Sequence, residues 1–411
     1  MTEHIATIVL VGGGLASARA AQTLRAEGFD GDLTLVAEET HRPYERPPLS
    51  KGVLIGHQPA DSAYVHPQGF YDEHGIELIT GDPVTDVDRD AGKVTTRSGT
   101  RLAFDRLLFA TGASPRQLPL EERERDGILT LRTLDDAQRL SGELRQAGHV
   151  TIVGAGWIGC EVAAAARTMG TDVTMVDPLD TPLQRVLGAQ VGRVFAQLHR
   201  DHGVDLRLGV GVASAAGTGR VEQVTLGDQT RLATDLVVVG IGVTPRTGLA
   251  ESCGLEVDDG ILTDATLATS DPRILAAGDV ANAWHPHYRR HLRVEHWANA
   301  LNQGNTAGLN LLGAGRAYDR LPYFYSDQYD LSMEYVGHAT DWDQVVFRGD
   351  PGTREFVSFW ISEGRVVAAM NANVQDVVND LKSLILSEAT VDPARLADPD
   401  VPLVDLLRPG A

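Results

Sequence analysis

Val150-Thr-Ile-Val-Gly-Ala-Gly-Trp-Ile-Gly-Cys-Glu161, read together with Ile8-Val-Leu-Val-Gly-Gly-Gly-Leu-Ala-Ser17, decides the fold of this chain. Each is an apolar run of the length of a buried parallel strand that breaks into closely spaced glycines and continues into an Ala-rich helical segment. In the first copy Gly12 permits a sharp turn, and Gly14 lets the backbone come close to a pyrophosphate. That anion would rest on the N-terminus of a helix predicted over 15–27, opened by Leu15 and Ala16. Ser17 stands where a third glycine is usual, and is small enough to keep helix and strand close. The second copy has the full set, Gly154, Gly156 and Gly159, with Ile158 in the first helical turn. The next apolar runs end at Glu38 and at Asp177. Both acids follow the first glycine of their copy at roughly the 20-residue spacing at which a carboxylate meets ribose hydroxyls.

An internal repeat ties the two copies together. Asp105-Arg-Leu-Leu-Phe-Ala-Thr-Gly112, which includes Ala110 and Thr111, is matched by Asp235-Leu-Val-Val-Val-Gly-Ile-Gly242, and both run on to a Pro-Arg pair, Pro115-Arg116 and Pro245-Arg246. Two units of one architecture predict an α/β chain with two Rossmann-like dinucleotide-binding domains. A further buried strand ends in Ala277-Gly-Asp279, and Glu295-His-Trp297 opens a helix to about Leu312. From Leu321 the pattern changes to short strands at Leu331 to Val336, Gln344 to Phe347, Glu355 to Ile361 and Val366 to Met370, then a helix over 374–386. This is a small α+β domain without a dinucleotide signature.

Composition narrows the class. The chain has 411 residues, too many for one ordinary core, and no apolar run reaches the roughly 18 residues needed to cross a bilayer. The first residues lack a positive region, so no secretory signal is expected there. A net charge of -20 argues against nucleic acid and anionic membranes as partners. Cys160 and Cys253 are too few for a disulfide framework and form no CxxC or CxxxxC pair, which points to the cytoplasm and removes an internal dithiol as the redox group.

With these motifs assembled, the chain resembles the FAD- and NAD(P)H-dependent ferredoxin reductases of the putidaredoxin reductase and biphenyl-dioxygenase reductase kind. The resemblance is carried by Gly12 to Ser17, Arg46-Pro-Pro-Leu-Ser-Lys51, Ala110-Thr-Gly112, Leu131-Arg-Thr-Leu-Asp-Asp136, Gly154 to Glu161, Ala277-Gly-Asp279 and Tyr325-Ser-Asp-Gln-Tyr329. It implies an FAD domain of residues 1–115 and 246–320, an NADH domain of 116–245 and a C-terminal domain of 321–411 that helps close the flavin site. It also implies FAD on the first glycine turn and NADH on the second. Glu38 would meet the adenosine ribose; Arg46, Lys51, Val84, Arg132 and Gly278 would lie near the cofactor, with Asp279 at the ribityl chain and Trp297 by the ring. The partner implied is a [2Fe-2S] ferredoxin serving a cytochrome P450 or a ring-hydroxylating oxygenase.

The chemistry is consistent with that assignment. Reduced nicotinamide gives up two electrons as hydride and an iron-sulfur protein accepts one at a time, so a flavin is the converter. Lys51 would steady the charge of reduced flavin, and Glu161 would pair with Lys51 and orient the nicotinamide; otherwise Glu161 is a first-turn acid favouring the helix dipole. Asp177 favours NADH over NADPH because a carboxylate repels a 2'-phosphate, although Arg185 could soften that choice. His285-Pro-His-Tyr-Arg-Arg-His-Leu-Arg293 is basic in an acidic chain, and Arg289, Arg290 and Arg293 are expected to dock an acidic ferredoxin. Tyr325 stands where many relatives carry tryptophan. Two alternatives remain open: an NADH oxidase or peroxidase on the same fold, which needs a reactive cysteine, and an NADH-sensing interaction protein.

Overall fold

The computed structural model describes residues 5–407, which form two compact units. Unit 1 comprises residues up to Glu45, Asp61–Ser114 and Val243–Pro322, and unit 2 comprises Arg46–Ala60, Pro115–Gly242 and Tyr323 onward. Residues 46–60, contiguous in sequence with the first unit, thus pack in the second.

Each unit is built on a five-stranded parallel sheet. In unit 1 the order across the sheet is Ile274–Ala276, Arg106–Phe109, Thr7–Val11, Asp32–Val36, Ile76–Ile79. In unit 2 it is Asp205–Leu208, Asp172–Asp177, His149–Val153, Leu236–Val239, Ile128–Thr130. The central strands read as continuous apolar runs because both faces are covered: in unit 1 Ile8 and Leu10 pack against Ala20 and Leu24 of the first helix, and Val9 and Val11 against Val84, Val87 and Val94 of an antiparallel sheet; Ile8, Leu10, Val150 and Ile152 are all at or below 1% exposure.

The repeat extends to single hydrogen bonds. Gly12 N–H donates to the Val36 carbonyl at 2.8 Å, and Gly154 N–H to Val176 at 2.8 Å. Asp105 Oδ2 accepts from the backbone of Ala6 and Thr7 at 2.7 and 2.9 Å, while Asp235 Oδ2 accepts from Gly148 and His149 at 2.9 Å each. Each copy also carries a three-stranded antiparallel sheet, 84–103 in unit 1 and 212–233 in unit 2, which periodicity did not reveal because the strands are short and half exposed.

The expected helix at 15–27 is Leu15–Ala26, and in unit 2 the helix Leu134–Leu144 is started by a capping box between Thr133 and Asp136. The C-terminal segment of unit 2 is a five-stranded antiparallel sheet plus the helix Val378–Leu386. It contains a strand the sequence reading missed, Tyr323–Gln328, which pairs with Leu331–Gly337. Its inward positions are Phe324, Ser326 and Gln328, two of them polar, so hydrophobic alternation does not mark it. The sheet packs on the helix Gln184–Asp201, where Trp360 Nε1 donates to the Leu187 carbonyl at 3.2 Å and Arg354 pairs with Asp201. That helix breaks at Gly188, which has φ 74° and where a Cβ would come within 2.8 Å of the Trp342 ring. Among the described residues no helix is long and apolar enough to cross a membrane.

Candidate functional site

The two glycine turns are anion cradles by construction. At Gly12 the backbone has φ 123° and a Cβ would lie 2.1 Å from the Ala110 carbonyl oxygen, so only glycine fits the crossing. At Gly14, the residue before the helix, a Cβ would meet nothing within 4 Å, which leaves open space before the helix start. That start has no side-chain cap and no acid in its first turn, so its orphan N–H groups and positive dipole end remain for a ligand. In unit 2 Gly154 and Gly159 are forbidden a Cβ by backbone at 2.4 and 1.9 Å, whereas Gly156 has only Gly240 O at 3.8 Å. The helix Trp157–Thr168 likewise begins uncapped and without an acid in its first turn. Ile158 lies beside that start and is 40% exposed, unusual for a large apolar residue here. Both turns therefore fit a dinucleotide pyrophosphate.

Around the first turn, Leu15 and Ala16 are buried, and Gly304 of the helix Trp297–Leu311 lets that helix cross at Ala16, where a Cβ would come within 2.4 Å of its carbonyl oxygen. Gly278 N–H donates to Gln303 Oε1 at 2.8 Å, fixing the short turn that carries half-buried Asp279. Val84 begins the first of the small antiparallel strands and is buried. Glu38 is met by Arg246, which pairs with its carboxylate and also donates through Nε to Ser114 Oγ at 2.6 Å; Thr111 Oγ1 in turn donates to the Arg246 carbonyl at 2.8 Å. Arg246 and Gln303 were not anticipated as site residues. The repeat of Pro-Arg was the one signal for the former. Gly112 and Gly242, with φ of 68° and 99°, close the matching strands.

In unit 2 the carboxylate of Asp177 braces the turn itself: Oδ2 accepts from Ala155 N–H at 2.7 Å and Oδ1 from Leu179 N–H at 2.8 Å. Each oxygen keeps a further lone pair for a sugar hydroxyl.

The most reactive constellation also lies in unit 2. Lys51 follows the turn Pro47–Ser50, and its Nζ is 2.7 Å from Glu161 Oε1. The Glu161 side chain is 7% exposed and that of Lys51 is 22% exposed. Ser50 Oγ–H donates to Glu161 Oε2, and Ser326 Oγ–H donates to Oε1 at 2.7 Å. A buried carboxylate thus receives one cation and two hydroxyls, the full satisfaction such a charge requires. Lys51 Nζ also lies 5.8 Å from the centre of the Tyr325 ring. Arg46 donates to the Arg132 carbonyl, joining two other expected site residues in this unit. Ser50 and Ser326 were missed as ligands of Glu161; their places inside the Pro-Pro-Leu-Ser-Lys and Tyr-Ser-Asp-Gln motifs were the available signal.

The thiols are not built for chemistry. Burial, with the charges of Glu161 and Asp177, pushes the Cys160 thiol well up, and burial also raises that of Cys253.

The basic segment forms the hairpin Ala281–His285 and Arg290–Arg293 in unit 1. Arg289 is exposed at its tip with φ 53°, and Trp284, 40% exposed, packs edge-on against His291. Two members of the segment turn inward. Arg293 was expected at a docking surface, but its side chain is only 10% exposed and pairs with Asp259 at 3.1 Å and with Glu295. His285 is buried against the Arg320 carbonyl at 3.0 Å, and its desolvation lowers its pKa.

The model of the pyridine nucleotide-disulphide oxidoreductases matches residues 6–304, and a reductase C-terminal model matches 323–407. The chain is 38% identical over 407 residues to the ferredoxin--NAD(+) reductase component of the anthranilate 1,2-dioxygenase system of Burkholderia cepacia, covering 97% of this chain and 98% of that protein. Among solved structures, it resembles the covalent putidaredoxin reductase–putidaredoxin complex, with TM-score 0.94, 36% identity and 98% of each chain covered. It also resembles the ferredoxin reductase for the CYP199A2 system from Rhodopseudomonas palustris, with TM-score 0.93, 34% identity and coverage of 97% and 98%. The doubled glycine turns, the antiparallel C-terminal sheet and these matches agree: the chain belongs to the pyridine nucleotide-disulphide oxidoreductase family, in its branch with the reductase C-terminal domain.

Proposed function

We propose that this protein is an NADH-dependent ferredoxin reductase, an FAD enzyme of the cytoplasm that supplies electrons to a [2Fe-2S] ferredoxin of a cytochrome P450 or ring-hydroxylating oxygenase system. The observation that carries the proposal is the pairing of two cradle turns with a buried Lys51–Glu161 ion pair and no low-pKa thiol. Bound FAD supplies conversion of a hydride into single electrons. The chain's own residues bind and orient. Gly12 and Gly14, with the helix start behind them, hold the FAD pyrophosphate, and Glu38, Val84, Asp279 and Trp297 are its further contacts. Gly154, Gly156 and Gly159 hold that of NADH, with Asp177 selecting a free 2'-hydroxyl. Lys51 would offer the flavin a positive charge, Arg46 and Arg132 would add to it, and Glu161 keeps that ammonium in place.

On this reading FAD belongs to residues 1–115 and 246–320 and NADH to 116–245, with 321–411 as the C-terminal domain. For docking the ferredoxin, Arg289 and Arg290 of the hairpin supply positive charge to an acidic partner, while Arg293 serves the fold. The high thiol pKa values argue against the oxidase or peroxidase alternative, which needs a thiolate. The test is reduction of a [2Fe-2S] ferredoxin followed by absorbance, with NADH and NADPH compared. Fast reduction with NADH supports the assignment; NADH consumption matched by peroxide loss, or none without oxygen, would reject it.

A further inference from the structure

A single line of buried polar groups runs away from Glu161 through unit 2. Ser326 Oγ lies 2.7 Å from Glu161 Oε1, Gln328 Nε2 lies 3.2 Å from Ser326 Oγ, and Gln328 Oε1 lies 3.1 Å from His199 Nε2. His199 Nδ1 then lies 3.2 Å from the Tyr329 hydroxyl. Ser326, Gln328 and His199 are each at or below 1% exposure.

The direction of every hydrogen in this line follows from its first member. A carboxylate paired with Lys51 only accepts, so Ser326 donates to it and must accept from the Gln328 amide. The amide NH2 therefore faces Ser326 and its carbonyl faces His199, which places a proton on His199 Nε2. Its Nδ1 is left to accept from Tyr329. An unprotonated Nδ1 requires a neutral ring. Burial pushes His199 down to about 4, so it is uncharged near neutrality, and burial pushes the Tyr329 phenol up, so it keeps its proton. Tyr329 is held at φ 55°, a left-handed conformation that a residue with a side chain adopts at a cost of about 1 kcal/mol, and it stacks on His202 with ring centres 3.8 Å apart.

Stability alone does not account for such a line. Replacing both partners of a buried hydrogen bond by apolar groups of the same shape is nearly neutral, and here three consecutive buried polar side chains end on one carboxylate oxygen. Donors aligned head to tail polarise one another and fix the last one in place.

We propose that Ser326, Gln328 and His199 form a positioning relay whose aligned donors hold the Glu161 carboxylate on Lys51. None of the three touches substrate; they act through Glu161, and the proposal rests on the role given to the Lys51–Glu161 pair above.

The experiment is a set of variants of the FAD-loaded full chain, S326A, Q328L, H199N and their pairs, each read in three ways: flavin reduction by NADH in a single turnover, NADH affinity and melting temperature. S326A is expected to slow flavin reduction roughly tenfold with NADH affinity unchanged, the loss of one charge-assisted hydrogen bond. Q328L and H199N are expected to slow it less. In the S326A background neither should slow it further, because the line is already cut, whereas a merely structural role would give additive losses. The Q328L/H199N pair tests the same non-additivity if S326A fails to fold. Independently of turnover, histidine-15N NMR of the holoprotein should show one resonance, absent in H199N, from a neutral imidazole protonated on Nε2. Additive rate losses, S326A within twofold of wild type, or an Nδ1-protonated His199 would overturn the relay. Failure of the unmodified protein to reduce ferredoxin with NADH would instead defeat the proposed function.

Discussion

Gly156→Ala separates NADH binding from folding. Its backbone has φ -80° and ψ -174°, extended geometry open to alanine, and the new methyl group would have one neighbour, Gly240 O at 3.8 Å. Folding stability should therefore move by less than about 1 kcal/mol, and even upward, since alanine restricts the unfolded chain. The methyl group does, however, fill the space from which a pyrophosphate reaches the N–H groups at the start of Trp157–Thr168. Losing one or two charge-assisted hydrogen bonds costs about 1.5–3 kcal/mol. That corresponds to a dissociation constant for NADH raised roughly 10- to 100-fold. FAD content and melting temperature should match wild type while NADH titration, followed by fluorescence, weakens by that factor. Gly154→Ala is the contrast: φ 104° and a carbonyl oxygen at 2.4 Å leave no room, so it should fail to fold well. A folded, FAD-loaded Gly156→Ala protein with NADH affinity within twofold of wild type would refute the reasoning.

Three further outcomes follow from the same geometry. Charge reversal at Arg289 and Arg290 should slow ferredoxin reduction and flatten its dependence on salt while reduction of a small dye is unchanged; Arg293→Glu should instead lower stability, because it sets a carboxylate against Asp259 and Glu295. His199 is depressed to about 4 in the fold and returns to about 6.5 on unfolding, so the stability it contributes is present above 6.5 and is lost as pH falls toward 4. Urea midpoints at pH 7 and pH 5 should show an acid loss that is smaller by up to about 2 kcal/mol in His199→Asn than in wild type. Replacing Cys160 by alanine and Cys253 by serine should leave NADH-driven ferredoxin reduction within twofold of wild type; its abolition would restore a thiol mechanism.

Much of the fold could be read in the sequence because its cause is local. The strand, glycine and helix order at Val150–Glu161 reflects a backbone that must turn where no Cβ fits, and Gly154 and Gly159 have carbonyl oxygens in the way. The repeat was equally visible, since Asp105 and Asp235 do the same backbone work in each copy. Other features had no local sign. The strand Tyr323–Gln328 buries Ser326 and Gln328, so its inward face looks polar until their partners are known. Arg293 looked like its exposed neighbour Arg289, and only the positions of Asp259 and Glu295 withdraw it.

The sequence by itself determined the two nucleotide turns, the chain's class and the residue types available for chemistry, because glycine spacing and apolar runs act through neighbouring residues. The tertiary structure alone decided which polar groups meet. Lys51, Glu161, Ser326 and His199 are far apart in the chain, and whether a buried charge is satisfied depends on partners within about 3 Å, a distance no spacing along the sequence encodes.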